Sequence, residues 1–196
     1  MMGGIARSGR IVVLAAAVLA SVFGAGTAAA ADAAGLWRGL AAGETVALMR
    51  HASAPGLGDP ANFALDDCDT QRNLSAAGRA EARAIGARLR DHGIDHAVVR
   101  SSRWCRCLDT ARLLDVGEVV PTPALDSFFE DREAGPGQTR TVRRLLADDA
   151  SGRPRVLVTH QVNITALTDV FPASGEIVVV RPGPEGLAVV GRIAPP

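Results

Sequence analysis

The sequence predicts an α/β domain, a three-layer α/β/α sandwich with a mostly parallel sheet. Two observations predict it. Short apolar runs at Glu44–Arg50, Ile94–Val99 and Arg155–Thr159 recur at intervals too long for hairpins. Between them, apolar residues repeat every three or four positions, the period of an amphipathic helix. Strands joined by helical crossovers pair in parallel, and helices then cover both faces of the sheet. A length of 196 residues suits one such domain and not two.

The elements follow in order. Arg7 and Arg10 precede an apolar run, Ile11 to Phe23, and then a small-residue stretch, Gly24 to Ala31. A positive head, an apolar middle and an Ala-x-Ala end read as a secretory signal, with cleavage near Ala30 or Ala31. Residues 1–31 are therefore expected to leave and residues 32–196 to form the domain. No cysteine stands at that point for a lipid, and Arg7 and Arg10 are not adjacent, so the ordinary secretion route is expected. Glu44–Arg50 (ETVALMR) suits a buried strand. Residues 52–73, rich in Pro, Gly, Asp and Asn, form a long connection of the kind that carries function. Ser75 caps a helix whose apolar face is Gly78, Ala82, Ile85, Gly86 and Leu89, closed by His92-Gly93. Ile94–Val99 is expected as a strand and Ser102–Leu114 as a helix. Pro121 and Pro123 then break the chain before a loop with Phe128 and Phe129. Gln138–Asp149 reads as an amphipathic helix, Arg155–Thr159 as a third strand and Asn163–Val170 as a short helix. Ile177–Val180 and Leu187–Val190 read as a closing pair of strands.

Charge excludes some partners. The chain carries 21 basic and 21 acidic side chains. Loss of Arg7 and Arg10 would leave the domain slightly acidic, which argues against nucleic acid or an anionic membrane as partner. No membrane span is expected after cleavage, and the oligomeric state is left open. Every basic residue is Arg; we read the absence of Lys as composition, not function. Of three cysteines, Cys105 and Cys107 stand two apart on an expected helix, where their side chains diverge. In an oxidising compartment Cys68–Cys105 is the preferred pair, against the alternative of three reduced thiols. No His has ligand spacing to them, so no metal site is expected.

Reactive residues stand at strand ends, where sheets of this class build their sites. The first strand ends at Arg50-His51. The second runs into Ser101-Ser102, with Arg106 a helical turn later. The third ends at Thr159-His160. If the strands are neighbours, two imidazoles and two guanidiniums converge. Guanidinium forks bind phosphoryl oxygens bidentately, a neutral imidazole is a competent nucleophile at phosphorus, and a carboxylic acid must protonate the leaving oxygen. This chemistry needs no metal and no cofactor.

Leu48-Met49-Arg50-His51-Ala52 resembles the Arg-His-Gly signature of the histidine phosphatase superfamily, also called phosphoglycerate mutase-like. Ser102-x-x-x-Arg106-x-x-x-Thr110-Ala111 looks like its second signature. Asn73-Leu-Ser-x-x-Gly78-Arg79-x-x-Ala82 is similar to the start of its first long helix, and Val158-Thr159-His160 resembles its last catalytic strand. The order agrees over residues 45–182. The resemblance implies that His51 is the phosphorylated nucleophile, that Arg50 and Arg106 bind phosphate, and that His160 is the second histidine of the pocket. Ala52 and Gln161 stand where the family commonly has Gly. The proton donor varies within the family; Glu130 is the first choice, Asp131 the second, and Asp66 and Asp67 are outside candidates. Arg72 is read as touching substrate or as a structural salt bridge. Phe128 and Phe129 are read as core, with the wall of a substrate pocket as the alternative, Trp104 as packing at the pocket rim, and His92 and His96 as outside catalysis.

The resulting expectation is an exported, periplasmic or secreted, metal-independent phosphatase of a small phosphorylated substrate. The alternatives are a phospho-ligand binder without turnover and, less favoured, a mutase, for which the roughly 30 residues after the second signature leave little to cap a dry site. Nothing in these residues selects the substrate.

Overall fold

The computed structural model describes Met1 and residues 25–149, 151–184 and 186–196. Arg7, Arg10 and the apolar run Ile11–Phe23 lie outside the described residues. The first helix, α1 (Ala25–Ala41), was not expected. It passes through the expected cleavage point, and Leu36, Trp37 and Leu40, beyond that point, enter the core. Among the described residues no helix is long and apolar enough to cross a membrane.

The remaining elements are β1 (Val46–Arg50), α2 (Ala76–Asp91), β2 (Val98–Ser101), α3 (Cys105–Leu114), β3 (Val119–Pro121), α4 (Gly135–Asp148), β4 (Arg155–Thr159), α5 (Gln161–Thr168), β5 (Ile177–Gly183) and β6 (Gly186–Ile193). The strands form one sheet in the order β3-β2-β4-β1-β5-β6. β4 runs parallel to both β1 and β2, and β3 is parallel to β2. β5 and β6 close the sheet antiparallel, with a bulge at Val179/Val180.

Side-chain alternation along β1 sorts the two layers of core. Ala47 and Met49 face a cluster with Leu36, Trp37, Ile85, Leu89 and Leu114, from α1, α2 and α3. Val46 and Leu48 face the other cluster, with Leu125, Val142, Leu146, Ile164 and Leu167 under α4 and α5. The chain is thus a three-layer α/β/α sandwich with a mixed, mostly parallel sheet. Each fully buried Leu or Ile stabilises it by roughly 1.5–3 kcal/mol before entropy is counted.

Boundaries differ from the sequence reading where a polar group had another use. The second strand starts at Val98, not Ile94. Ile94 is buried, but its N–H turns back to Leu89 O, so the segment finishes α2 before the sheet begins. α3 starts at Cys105, because Ser102 is committed to a contact in the site. α4 starts at Gly135, with Pro136 in the first turn, where its missing N–H costs nothing. β3 was not expected; it is a short edge strand ending in a proline. His92 caps α2 and stacks on Trp37 with ring centroids 4.3 Å apart. His96 is exposed. Phe128 is buried as expected, whereas Phe129 is exposed.

The five residues expected on the apolar face of α2 are the buried ones. Gly78 belongs there for a steric reason. A Cβ at this position would lie 2.0 Å from Ser53 O, the backbone just beyond β1. Gly78→Ala is expected to lower stability by roughly 1–3 kcal/mol through overpacking against backbone that cannot yield. Gly137→Ala in α4, where a Cβ meets nothing within 4 Å, is expected to be neutral or to stabilise by about 0.5–1 kcal/mol. Urea midpoints of the two variants check the contrast.

Candidate active site

The sheet order makes neighbours of the three reactive strand ends. Arg50 is in register with Thr159, and Ser101 with Val158. The chain leaves β1 with the His51 N–H on Thr159 O at 3.0 Å, and Gly175 N–H returns to His51 O at 3.2 Å. Thr110 ties α3 to this exit. Its hydroxyl donates to Arg106 O at 2.7 Å and accepts the Ala52 N–H at 3.1 Å. From the other side Glu81 accepts the Ser53 N–H at 2.8 Å, and the Ser75 N–H reaches Ser53 O at 3.1 Å. The segment after His51 is therefore held by α2 and α3 together.

His51 is buried and its Nδ1 lies 2.8 Å from Ala52 O. A carbonyl oxygen only accepts, so Nδ1 carries the proton and Nε2 keeps its lone pair. The imidazole pKa is pushed down to about 3. Burial is the main cause; the Ala52 hydrogen bond opposes it, and the charges of Arg106, Arg50 and Arg72 add to it. The ring is therefore neutral at physiological pH.

His160 meets His51 edge to face, with centroids 5.6 Å apart. Its pKa also lies well below the ordinary value, through burial first and then repulsion by His51 and the three arginines. His160 Nε2 lies 2.9 Å from Ser102 Oγ, and that hydroxyl lies 3.3 Å from Asp126 Oδ1. Asp126 is itself fixed by the Arg103 N–H and Nε, each at 2.8 Å. A hydroxyl both donates and accepts, so Ser102 can hold the ring in either tautomer. Cys107 Sγ also approaches Nε2, at 3.5 Å; its pKa is pushed up to about 12, mainly by burial, so it is a neutral thiol.

Arg50 Nη1 donates to Pro172 O at 3.0 Å, and its buried Nε has no partner. Its pKa is lowered by burial first and then by Arg106. Arg106 is 3% exposed, and its two Nη groups meet both oxygens of Asp59, at 2.7 and 3.1 Å. Its buried Nε also lacks a partner. Arg50 and Arg106 thus both line the cavity that His51 and His160 line, and each keeps one buried cationic donor without a partner. Buried donors without acceptors are costly, and an oxyanion would satisfy them.

The cavity has a volume of about 120 Å³. Trp104, Phe63, Leu57 and Phe129 give it apolar walls. Trp104 stacks on Phe63 at 5.1 Å and meets His160 edge-on at 5.5 Å. Arg72 lines the cavity too, and its guanidinium donates to Gly58 O at 2.8 Å and to Ala54 O, stapling the loop onto itself. Gln161 turns back to Thr165 Oγ1 at 2.8 Å and forms only part of a wall. Glu130 is exposed at the mouth and lines the cavity near Gly58. Asp66, Asp67 and Asp131 are not among the lining residues; Asp67 caps a 3-10 turn through Asp69 N–H, and Asp131 accepts the Ala134 N–H. Cys68 and Cys105 are joined by a disulfide, which fastens the long loop to the residue before Arg106. Cys107 is free and buried.

Two carboxylates escaped the sequence reading, Asp59 and Asp126. Gly58-Asp59-Pro60 carried the one available signal, an acid held extended by the following proline inside the longest loop. Among the described residues no group of three or more His, Cys, Asp or Glu could hold a metal.

Comparison with known proteins bears on this geometry. The profile of the histidine phosphatase superfamily (branch 1) matches residues 46–149. That span covers Arg50, His51, Asp59 and Arg106 and ends before His160. No curated protein sequence matches the chain. Among solved structures, the protein histidine phosphatase SixA complexed with tungstate superposes with a TM-score of 0.55 at 20% identity, covering 76% of this chain and 96% of that one. The SixA of Agrobacterium tumefaciens, a candidate phosphohistidine phosphatase, gives 0.54 at 19% identity over 78% and 99%. A phosphoserine phosphatase mutant of Entamoeba histolytica with phosphoserine gives 0.51 at 13% identity over 76% and 95%. These likenesses are of fold.

Proposed function

The chain belongs to the histidine phosphatase superfamily, branch 1, and from that premise we propose that it is an exported, metal-independent phosphatase that hydrolyses a phosphate monoester through a phosphohistidine at His51. One observation carries the reading. The His51 ring has Nδ1–H committed to Ala52 O and Nε2 free, beside a second buried imidazole and two arginines whose Nε donors have no partner.

The reaction runs in two steps. The phosphoryl group enters between Arg50 and Arg106, whose free N–H groups take its oxygens. The Nε2 lone pair of His51 forms the N–P bond as the P–O bond to the leaving group breaks. Glu130 gives its proton to the leaving oxygen. The ring becomes cationic, and the Nδ1–H to Ala52 O stabilises that charge. Glu130, now a carboxylate, accepts a proton from water as the water oxygen attacks phosphorus, and the N–P electrons return to Nε2. His160 hydrogen-bonds the phosphoryl oxygens, and charge stabilisation by the arginines lowers the barrier. Arg72 lines the same cavity and supports substrate contact. The disulfide supports an oxidising compartment, in keeping with the signal-like first 31 residues, and a small phosphorylated molecule fits the small cavity.

The test is hydrolysis of an aryl phosphate by the purified protein, with and without a chelator. The parent should turn over equally in both. His51→Ala should lose at least about 10³-fold in kcat. Equal activity in parent and variant would overturn the reading.

A further inference from the structure

Asp59 is the most committed carboxylate in the site. Its side chain is 10% exposed. Oδ1 accepts Arg106 Nη1 at 2.7 Å and the Arg72 N–H at 3.1 Å. Oδ2 accepts Arg106 Nη2 at 3.1 Å and the Trp104 indole N–H at 3.0 Å. Four donors from three residues surround it. Burial alone would raise its pKa, but the hydrogen bonds from Arg106, Arg72 and Trp104 outweigh burial and hold it below the usual range. An ionised carboxylate with both oxygens filled has no proton to give and no free lone pair aimed at substrate.

The consequence lies in which part of Arg106 remains. A guanidinium offers two forks: the end, from Nη1 and Nη2, and the edge, from Nε and the Nη2 hydrogen beside it. Asp59 takes the end. Nη1 also reaches Arg72 O at 3.4 Å, so both of its hydrogens are spoken for. What remains is the edge, whose Nε is buried without a partner. The loop carrying Asp59 is fixed independently, by Arg72 on Gly58 O and by the disulfide to Cys105.

We propose that Asp59 is a positioning residue: it grips the end of Arg106 so that the Nε–Nη2 edge, and not the end, meets the phosphoryl oxygens. This rests on the phosphatase reading above. It also gives Asp59 an electrostatic effect, since its charge offsets part of the Arg106 charge and keeps the bound anion from being held too tightly.

Asp59→Asn tests it. The amide nitrogen would face donors, so the grip on Arg106 loosens while one negative charge is lost. The expected result is a fall in kcat of about 10-fold or more, from a misaligned donor pair. The KM for an aryl phosphate and the inhibition constant of inorganic phosphate should stay level or fall. The kcat loss should be the same for an aryl and an alkyl phosphate, because positioning does not depend on the leaving group. Unchanged kcat would overturn the assignment. So would a loss confined to the alkyl ester, which would make Asp59 the proton donor. Asp59→Glu covers the case of an Asp59→Asn variant that does not fold. It keeps the charge but displaces the fork by a methylene, and it too should lose kcat at near-parent phosphate affinity; parent-like kcat in Asp59→Glu would overturn the assignment. An inactive parent that still binds phosphate would instead refute the phosphatase reading.

Discussion

Arg106→Ala is expected to lower kcat/KM for an aryl phosphate by about 10³-fold, the largest loss for any residue other than the nucleophile. Two effects add. The variant loses the bidentate edge that the transferring phosphoryl group requires. It also leaves the Asp59 carboxylate, now without its guanidinium, facing the incoming phosphate. A buried charge stripped of its partner is strongly unfavourable, and here it repels substrate as well. Removing both residues should therefore be less damaging than the sum of the two single losses, a coupling that a double-mutant cycle measures. Arg106→Lys should recover little, because an ammonium cannot offer a planar fork to both Asp59 and phosphate. Steady-state kinetics of the three variants and the parent check this, and an Arg106→Ala enzyme within tenfold of the parent would contradict it.

The second large effect concerns stability in acid. His51 and His160 are buried and neutral, with pKa values well below the ordinary 6.5. The unfolded chain takes up protons below that value while the folded chain does not, so stability falls as the pH drops from 6.5 towards about 3. Each imidazole contributes up to about 1.4 kcal/mol per pH unit within that window. Asp59 and Glu176 also have lowered pKa values, so their contribution to stability likewise falls as the pH drops, but in a lower window. Their stabilisation is complete above the ordinary carboxyl range and is lost only at lower pH, so the histidines dominate the first part of the decline. Urea unfolding at pH 7.5, 6 and 5 in phosphate-free buffer should show the loss, and His160→Gln should flatten it. Added phosphate should stabilise the native state by occupying the site. A stability that stays level between pH 7 and 5 would contradict the buried neutral pair.

Much of the fold was legible because its signals are periodic. The Arg155–Thr159 run forms a strand over its expected length, the Glu44–Arg50 run forms one that starts at Val46 and ends at Arg50 as expected, and the apolar face of α2 is buried residue by residue. The strand-end argument was legible for the same reason. Once β4 lies between β1 and β2, Arg50, His51, Ser102, Arg106 and His160 have to meet at one edge of the sheet. Asp59 was not legible. It meets Arg106 from 47 positions away, through a loop whose path is set by Arg72 and a disulfide and not by any period. Ser102 misled for a similar reason: serine favours a helix start, but here its hydroxyl serves His160 and Asp126. Among the acidic residues considered for the proton donor, only Glu130 reaches the cavity wall. Local sequence around Asp66, Asp67 and Asp131 carried no sign of which way the loops turn.

The most direct measurement is to quench the protein rapidly during turnover of an aryl phosphate, keep it at alkaline pH where a phosphohistidine survives, and map the modified peptide by mass spectrometry. The account predicts one phosphoryl group, on His51, absent from His51→Ala and discharged when substrate is exhausted. A phosphoryl group on another residue, or steady hydrolysis by His51→Ala, would contradict it.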